Sequence, residues 1–212
     1  IVFLCNPNNP TGVLIPENLI DEILERCRMN HVFLVLDECF TDFLEKPELA
    51  TKKRKLSEYP DFFILKAFTK RYAMAGLRLG YGLCANDRIL ERMRAVTQPW
   101  NISIPAQEAG VAALKEEEYV KRARKVTACE RQWIKEELCK LGIKVYDSRA
   151  NYIFFRGPKG LAGAVLKQGI MIRDCSNYRG LTGGYYRTAV RLHEENQQLI
   201  RAVEAALKEL QK

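Results

Sequence analysis

The chain has 212 residues, a formal net charge of +8, and contents of 47% apolar and 28% charged residues. These values are typical of an ordinary globular protein, and the length allows one large domain or about one and a half average ones. The composition excludes a membrane protein, because no apolar run reaches the ~18 residues that a membrane span needs.

The positive charge does not indicate nucleic-acid binding. The basic run at 52–55 has no interleaved aromatic residues and no nucleic-acid motif around it. A modest positive field suits an anionic cofactor and substrate equally well. The seven cysteines are odd in number and contain no CxxC pair, as in a reduced cytoplasmic protein. We therefore expect a cytoplasmic protein with no metal site, no nucleic-acid partner and no membrane contact.

The first half of the chain alternates strands and helices. Residues 1–5 and 32–36 are continuous apolar runs, which favour buried strands, and residues 62–65 repeat the pattern. Between the first two runs, a helix is predicted to begin at Pro16. A short helix capped by Asp87 should follow the third strand. This alternation predicts an α/β fold with a mainly parallel sheet and helices on both faces.

The second half has a different pattern. Two helices are predicted over residues 105–115 and 117–140. Beyond them, strands at 143–146, 152–155, 170–173 and 186–190 mix with helices at 159–168 and 193–211. We predict a large domain over 1–115 and a smaller α+β domain over 116–212, with the boundary between residues 115 and 142.

Polar side chains follow three of the predicted strands. Asn9 follows the first strand, Asp37 ends the second, and Lys70 follows the third. Open α/β sheets bind ligands outside the carboxyl ends of their strands, so these groups are expected to converge on one site. An amine there can be desolvated and kept partly neutral, as a Schiff-base lysine needs. Arg78, eight residues after Lys70, offers a planar fork suited to a phosphate.

Three motifs make the sequence similar to a known family. The run from Thr69 reads T-K-x-x-x-x-x-G-L-R-x-G-Y, the run from Asp37 matches D-E-[AC]-[YF]-x-D-F, and the run from Asn6 matches N-P-x-N-P-T-G. Together they resemble fold-type-I pyridoxal-phosphate (PLP) enzymes of the aminotransferase class I/II superfamily. The order and spacing of the motifs agree over most of the chain.

The resemblance implies a role for each matching residue. Lys70 forms the Schiff base with the cofactor, Asp37 pairs with the pyridine nitrogen, and Asn9 donates to the ring hydroxyl. Arg78 and the nearby Thr69 bind the phosphate. Two positions depart from the pattern. Phe40 replaces a tyrosine that meets the ring oxygen in many aminotransferases, and Ala67 replaces a serine or threonine that meets the phosphate.

Three residues of the second half resemble substrate-binding residues of the family. Arg187, on the strand-like run 185–191, resembles the arginine that takes the substrate α-carboxylate as a bidentate pair. Asn151 and Arg173 match segments near the substrate pocket, and Arg173 is a candidate for a substrate phosphate. The resemblance therefore implies a small-molecule substrate, which is an amino acid or a phosphorylated amino acid or amine.

The motifs resemble those of the branch that contains histidinol-phosphate aminotransferase and threonine-phosphate decarboxylase, and the choice between the two reactions stays open. The family also implies a homodimer. The chain opens in mid-strand without Met, so we expect a later part of a longer enzyme that binds PLP poorly by itself. The alternatives are a non-catalytic sensor domain of a transcriptional regulator or an inactive remnant.

Overall fold

The computed structural model describes residues 1–211 and contains two compact units. The first comprises residues 1–8 and 14–122, and the second comprises residues 9–13 and 123 onward. The division falls inside the long helix over Glu117–Lys140. Among the described residues, no helix has both the length and the apolarity that a bilayer crossing requires.

The sheet of the first unit has the predicted alternation of strands and helices. Its strands are β1 (Val2–Cys5), β2 (Leu34–Asp37), β3 (Phe62–Ala67) and β4 (Gly80–Leu83). They lie in the order β1-β2-β3-β4, with the first three parallel and β4 antiparallel to β3. The mainly parallel sheet is therefore confirmed, and its one antiparallel strand returns from β3 through a short loop.

Helix α1 covers one face of this sheet because its apolar residues recur at helical spacing. Ile20 and Leu24 of α1 are 1% exposed and pack against a face of alternate strand residues, which are Leu34, Leu36, Phe62 and Ile64. The helices of the first unit are α1 (Glu17–Met29), α2 (Pro47–Ala50), α3 (Phe68–Arg71), α4 (Asp87–Val96), α5 (Ile104–Ala113) and the start of α6 (Glu117–Lys140).

One predicted cap is wrong. Helix α4 begins at Asp87, so its N-cap residue is Asn86, and no side-chain hydrogen bond caps it. Asp87 instead places an acid in the first helical turn, where the helix dipole stabilises negative charge.

The second unit is built around an antiparallel sheet. Its strands are β5 (Lys144–Val145), β6 (Tyr152–Arg156), β7 (Arg173–Asp174) and β8 (Tyr185–Ala189), in the order β5-β6-β8-β7. One core joins α6 to α7 (Leu161–Lys167) and α8 (His193–Leu210), and its largest fully buried side chains include Phe155 and Tyr186.

The strand predicted at 170–173 is shorter and lies further along the chain. Gly169 has a φ of 81° and ends α7, and the Ile170 N–H then donates to Val165 O at 3.3 Å. This helix-closing bond takes the backbone group that a ladder would have used, so pairing begins only at Arg173.

Candidate functional site

The paired stretches of the three parallel strands end level with one another, and β3 alone continues to Ala67. Cys5 of β1 lies opposite Asp37 of β2, and Asp37 lies opposite Leu65 of β3. The ladder continues one residue further, because Asn6 N–H donates to Asp37 O at 2.9 Å and Glu38 N–H donates to Leu65 O at 3.0 Å. The residues that follow β2 and β3 therefore start from one edge of the sheet.

Asp37 is half-buried at this edge, and its carboxylate shapes the turn that follows. Its Oδ1 accepts the Cys39 N–H at 2.9 Å, a local side-chain-to-backbone bond that fixes the carboxylate direction. Burial, together with the hydrogen bond to Asp37, raises the pKa of the Cys39 thiol to about 12. Cys39 is thus a protonated, inert neighbour of the acid at neutral pH.

Lys70 lies on α3, which begins directly after β3. Its Nζ is 6.0 Å from the centre of the Phe40 ring, which is 8% exposed. Phe40 follows Asp37 by three residues, so the loop after β2 and the helix after β3 meet here. An amine after a buried strand can be desolvated, but Lys70 is exposed in the structure. The single turn of α3 leaves this amine uncovered.

The segment between β3 and β4 carries the residues that are predicted to bind a phosphate. The Phe68 N–H donates to Leu79 O at 3.1 Å, which closes the loop and brings its two ends together. Arg78 adopts the left-handed conformation, with φ 55° and ψ 40°, and its guanidinium is exposed apart from a 3.1 Å bond to Ala75 O. Thr69 is half-buried on α3. A non-glycine residue with this φ is uncommon and frequently found at ligand sites.

A buried polar cluster at the same edge was missed by the sequence analysis. Asn6 and Glu38 are 2% and 0% exposed, and the Lys66 side chain is 9% exposed. Glu38 and Lys66 pair at 3.1 Å. A signal was available in the sequence, because each extends an alternating apolar face of its strand, 34–36–38 in β2 and 62–64–66 in β3.

The second unit holds Asn9 and the substrate candidates. Asn9 Oδ1 accepts a hydrogen bond from Arg187 Nη1 at 2.5 Å, and the Arg187 guanidinium lies 5.1 Å from the centre of the Tyr152 ring. Arg173 lies opposite Arg187 in the β7–β8 ladder. Asn151 is half-buried before β6, where its carbonyl accepts the Val190 N–H at 2.9 Å.

The segment 9–13 belongs to the second unit because of two backbone features. The Arg149 N–H donates to Gly12 O at 2.7 Å. Gly12 has a φ of 73°, and a Cβ placed on it would come within 2.0 Å of Ser148 Oγ. Only glycine fits there, so the turn that carries Asn9 is held against residues 148–149.

The structure thus groups the predicted site residues into two sets. Asp37 ends β2 of the first unit, Phe40 lies in the loop that follows, Thr69 and Lys70 lie on α3, and Arg78 lies between α3 and β4. The other set lies in the second unit and consists of Asn9, Asn151, Arg173 and Arg187. The convergence of Asn9 with Asp37 and Lys70 stays a prediction.

Comparison with known proteins shows the family. Residues 1–203 match the model of the aminotransferase class I and II family, to which the chain therefore belongs. It is 36% identical over 217 residues to a threonine-phosphate decarboxylase of Salmonella typhimurium, covering 97% of this chain and 57% of the relative. The chain thus spans little more than half the length of that relative.

Solved structures of similar proteins have the same fold as this chain. The histidinol-phosphate aminotransferase from Clostridium acetobutylicum superposes with a TM-score of 0.92 at 31% identity, covering 98% of this chain and 64% of that one. The fold also matches the histidinol-phosphate aminotransferase from Sinorhizobium meliloti, solved in complex with pyridoxal-5'-phosphate, with a TM-score of 0.85 at 23% identity. That match covers 98% of this chain and 57% of that one. Pyridoxal phosphate is the cofactor of the family.

The donor set at the edge of the first sheet fits this cofactor chemically. A primary amine on Lys70 suits the aldehyde, the Asp37 carboxylate suits a pyridinium nitrogen, and the exposed Arg78 guanidinium suits a phosphate. Phe40, whose ring lies beside the Lys70 amine, offers an apolar contact in place of a hydroxyl. The residues present therefore agree with the cofactor that the family uses.

Proposed function

We propose that the protein is a PLP-dependent enzyme that acts on an amino acid, or on a phosphorylated amino acid or amine, as a transaminase or decarboxylase. The observation that carries the proposal is the register of β2 and β3, in which Asp37 lies opposite Leu65 and the helix with Lys70 follows β3 at Phe68. This register supports the proposal that the Asp37 carboxylate and the Lys70 amine contact one ligand at the edge of the sheet.

The first-unit residues have separate tasks in this proposal. Lys70 attaches the cofactor, Asp37 keeps the pyridine nitrogen protonated by charge pairing, and Arg78 with Thr69 binds the phosphate. Bound PLP supplies an electron sink for the bond broken at the substrate α-carbon. Phe40 offers an apolar contact beside the Lys70 amine, and the ring oxygen is left to Asn9.

The choice of Lys70 over Lys66 is supported by their surroundings. The Lys66 ammonium is nearly buried and held by the Glu38 carboxylate at 3.1 Å, so it is tied into a charge pair. Lys70 is exposed and lies beside Phe40. Lys70→Ala is expected to abolish the visible absorbance of lysine-bound PLP in the full-length protein. Retention of that absorbance, with its loss in Lys66→Ala instead, would assign the wrong lysine.

The second-unit arginines suit an anionic substrate. Arg187 and Arg173 lie directly opposite each other on antiparallel strands, where like charges repel unless an anion lies between them. Arg187 is proposed to take the α-carboxylate and Arg173 a substrate phosphate, with Asn151 near the substrate pocket. Arg187→Ala should weaken substrate binding about tenfold or more by loss of a charge-assisted pair and leave PLP binding nearly intact. Equal loss of both would contradict this assignment.

Two assays of the purified full-length protein separate the reactions. Loss of carboxylate from O-phosphothreonine would identify a decarboxylase, and amino transfer from histidinol phosphate to 2-oxoglutarate would identify an aminotransferase. Turnover of neither, together with PLP binding and DNA binding, would favour the sensor-domain alternative.

Sedimentation of the same sample tests the proposed homodimer, and PLP titration of the 212-residue chain tests the expected weak binding by this part alone.

A further inference from the structure

The Glu38 carboxylate is fully buried and satisfied from three directions. Its Oε1 accepts the Lys52 N–H at 2.8 Å, and its Oε2 accepts the Thr51 hydroxyl at 2.6 Å. The Lys66 ammonium lies 3.1 Å from the same Oε2. A carboxylate at 0% exposure is costly to bury, and these contacts offset that cost.

Lys66 lies between two acids of the loop that follows β2. Besides Glu38, its ammonium is 3.8 Å from Asp42 Oδ1, and the same oxygen is 3.4 Å from Nη1 of Arg71. Arg71 is the last residue of α3 and the neighbour of Lys70. The loop over 38–42 is thereby joined by charge to β3 at one point and to α3 at another.

The cluster continues outward to α1. The Lys52 side chain is 6% exposed, and its ammonium lies 2.8 Å from Asp21 and 3.2 Å from Glu17. Lys52 therefore connects the Glu38 carboxylate, through its own N–H, to the helix that covers the sheet. The cluster is anchored to the rigid part of the first unit.

The members of the cluster flank the proposed cofactor residues in sequence and lie on the opposite face. Glu38 directly follows Asp37, and Lys66 precedes Lys70 by four residues. Successive strand side chains alternate, so Glu38 continues the Leu34–Leu36 face against α1 while Asp37 points to the other side. The cluster cannot replace the cofactor residues, yet it holds both segments that carry them.

We propose that Glu38 and Lys66 are positioning residues that set the placement of Asp37 and Phe40 relative to Lys70, an inference that rests on the proposed function. The pair ties the loop over 38–42 to the end of β3 from the face opposite Asp37. Misplacement of a pre-organised group by a fraction of an ångström alters its effect on a bound ligand. Loss of the pair should therefore change how the cofactor is held even when the fold persists.

The test uses Lys66→Met, Glu38→Gln and the double variant in the full-length protein. Lys66→Met leaves the buried Glu38 carboxylate without its ion-pair partner, and Glu38→Gln leaves the Lys66 ammonium with only the longer contact to Asp42 at 3.8 Å. The double variant removes both charges, so it should recover much of the lost thermal stability. It restores no cross-link between the loop and β3. We therefore expect PLP affinity about tenfold weaker, with a shifted pH midpoint of the visible absorbance, in each folded variant, including the double one.

The matched control is Lys121→Met, which breaks an ion pair to Glu118 at 2.7 Å whose side chains are 61% and 86% exposed. It should leave PLP affinity and the pH midpoint within about twofold and a few tenths of a pH unit of wild type. A double variant that regains stability and holds PLP like wild type would overturn the inference and make the pair merely structural. If a single variant fails to fold, the double variant decides the question.

Wild-type protein and Lys70→Ala separate this inference from the proposed function. Wild type that gains no visible absorbance with PLP refutes the proposed function, and the inference falls with it. Wild type that gains the absorbance, loses it in Lys70→Ala, and keeps the same affinity and midpoint in the double variant refutes the inference alone.

Discussion

Strand β6 of the second unit and strand β1 of the first unit are buried to different extents. In β6 of the second unit, the four residues Tyr152 to Phe155 are at most 4% exposed. In β1 of the first unit, Val2 is 37% and Phe3 is 71% exposed. Helix α4 of the first unit has no buried residue, although its apolar and polar residues are well segregated. The apolar pattern of a segment therefore predicts its secondary structure but does not by itself predict burial.

The difference lies in what each sheet is packed against. Helices α6, α7 and α8 all contribute to one core of the second unit. The first unit has a core between α1 and the sheet and a separate smaller cluster around Phe68, Tyr72 and Leu79. Exposed apolar side chains such as Val96, Trp100 and Ile104 remain outside both, at 85%, 95% and 75% exposure.

The largest expected effect tests the buried side of this comparison. Phe155→Ala removes a ring that is 0% exposed from the core of the second unit. We expect a loss of about 3–5 kcal/mol in the free energy of unfolding, from lost burial and the cavity left behind. Denaturant unfolding followed by Trp133 fluorescence measures it, because Trp133 packs against this core. A loss below about 1 kcal/mol would mean that the core is less tightly packed than described.

A glycine pair sharpens the comparison inside the second unit. Gly12→Ala must adopt a φ of 73° and also meet Ser148 Oγ at 2.0 Å, so it should cost roughly 2–4 kcal/mol. Gly142 has a similar φ of 75° with no atom within 4 Å of an added Cβ. Gly142→Ala should therefore cost only about 1 kcal/mol, for strain alone. Equal thermal shifts in the two variants would show that residues 9–13 are not held against Ser148.

Thiol labelling compares the two units without any substitution. With its pKa raised to about 12, roughly one Cys39 in ten thousand is a thiolate at pH 8. Cys129 and Cys139 of the second unit are exposed. We expect iodoacetamide to alkylate those two cysteines about a hundredfold faster than Cys39, as measured by peptide mass spectrometry. Comparable labelling rates would contradict the burial of Cys39.

The raised pKa of Cys39 also makes the free energy of unfolding depend on pH. The native state keeps the Cys39 proton above pH 9, where an ordinary thiol of pKa 9.0 in the unfolded chain loses it. The contribution of Cys39 to the free energy of unfolding is therefore fully present below pH 9 and is lost as the pH rises towards 12.

The smallest expected effect tests the exposed side of the comparison. Phe3→Ala changes a ring that is already 71% exposed, so the free energy of unfolding should fall by less than about 1 kcal/mol. Measured beside Phe155→Ala in the same denaturant series, it gives the contrast between β1 and β6 directly. A cost for Phe3→Ala that equals that of Phe155→Ala would mean that β1 is buried in solution.

Local patterns in the sequence were sufficient for much of the fold. Continuous apolar runs predicted β1, β2 and β3, and helical periodicity predicted α1, because buried strands and amphipathic helices need those patterns. The strand predicted at 170–173 was misplaced because a helix-closing bond at Ile170 depends on backbone conformation. The motifs around Asp37 and Lys70 led to the family, since these short runs carry the chemistry of the site.

Tertiary structure alone decided which polar groups share an environment. The alternating face 34–36–38 indicates that Glu38 points to the α1 side and Asp37 to the other, but only the fold brings Glu38 to Lys66 of another strand. Likewise, Asn9 stands next to β1 in sequence but meets Arg187, 178 residues away, through the turn held at Gly12. Side-chain periodicity is written in the sequence, whereas the partner across a sheet or a turn depends on long-range register, which only the folded chain determines.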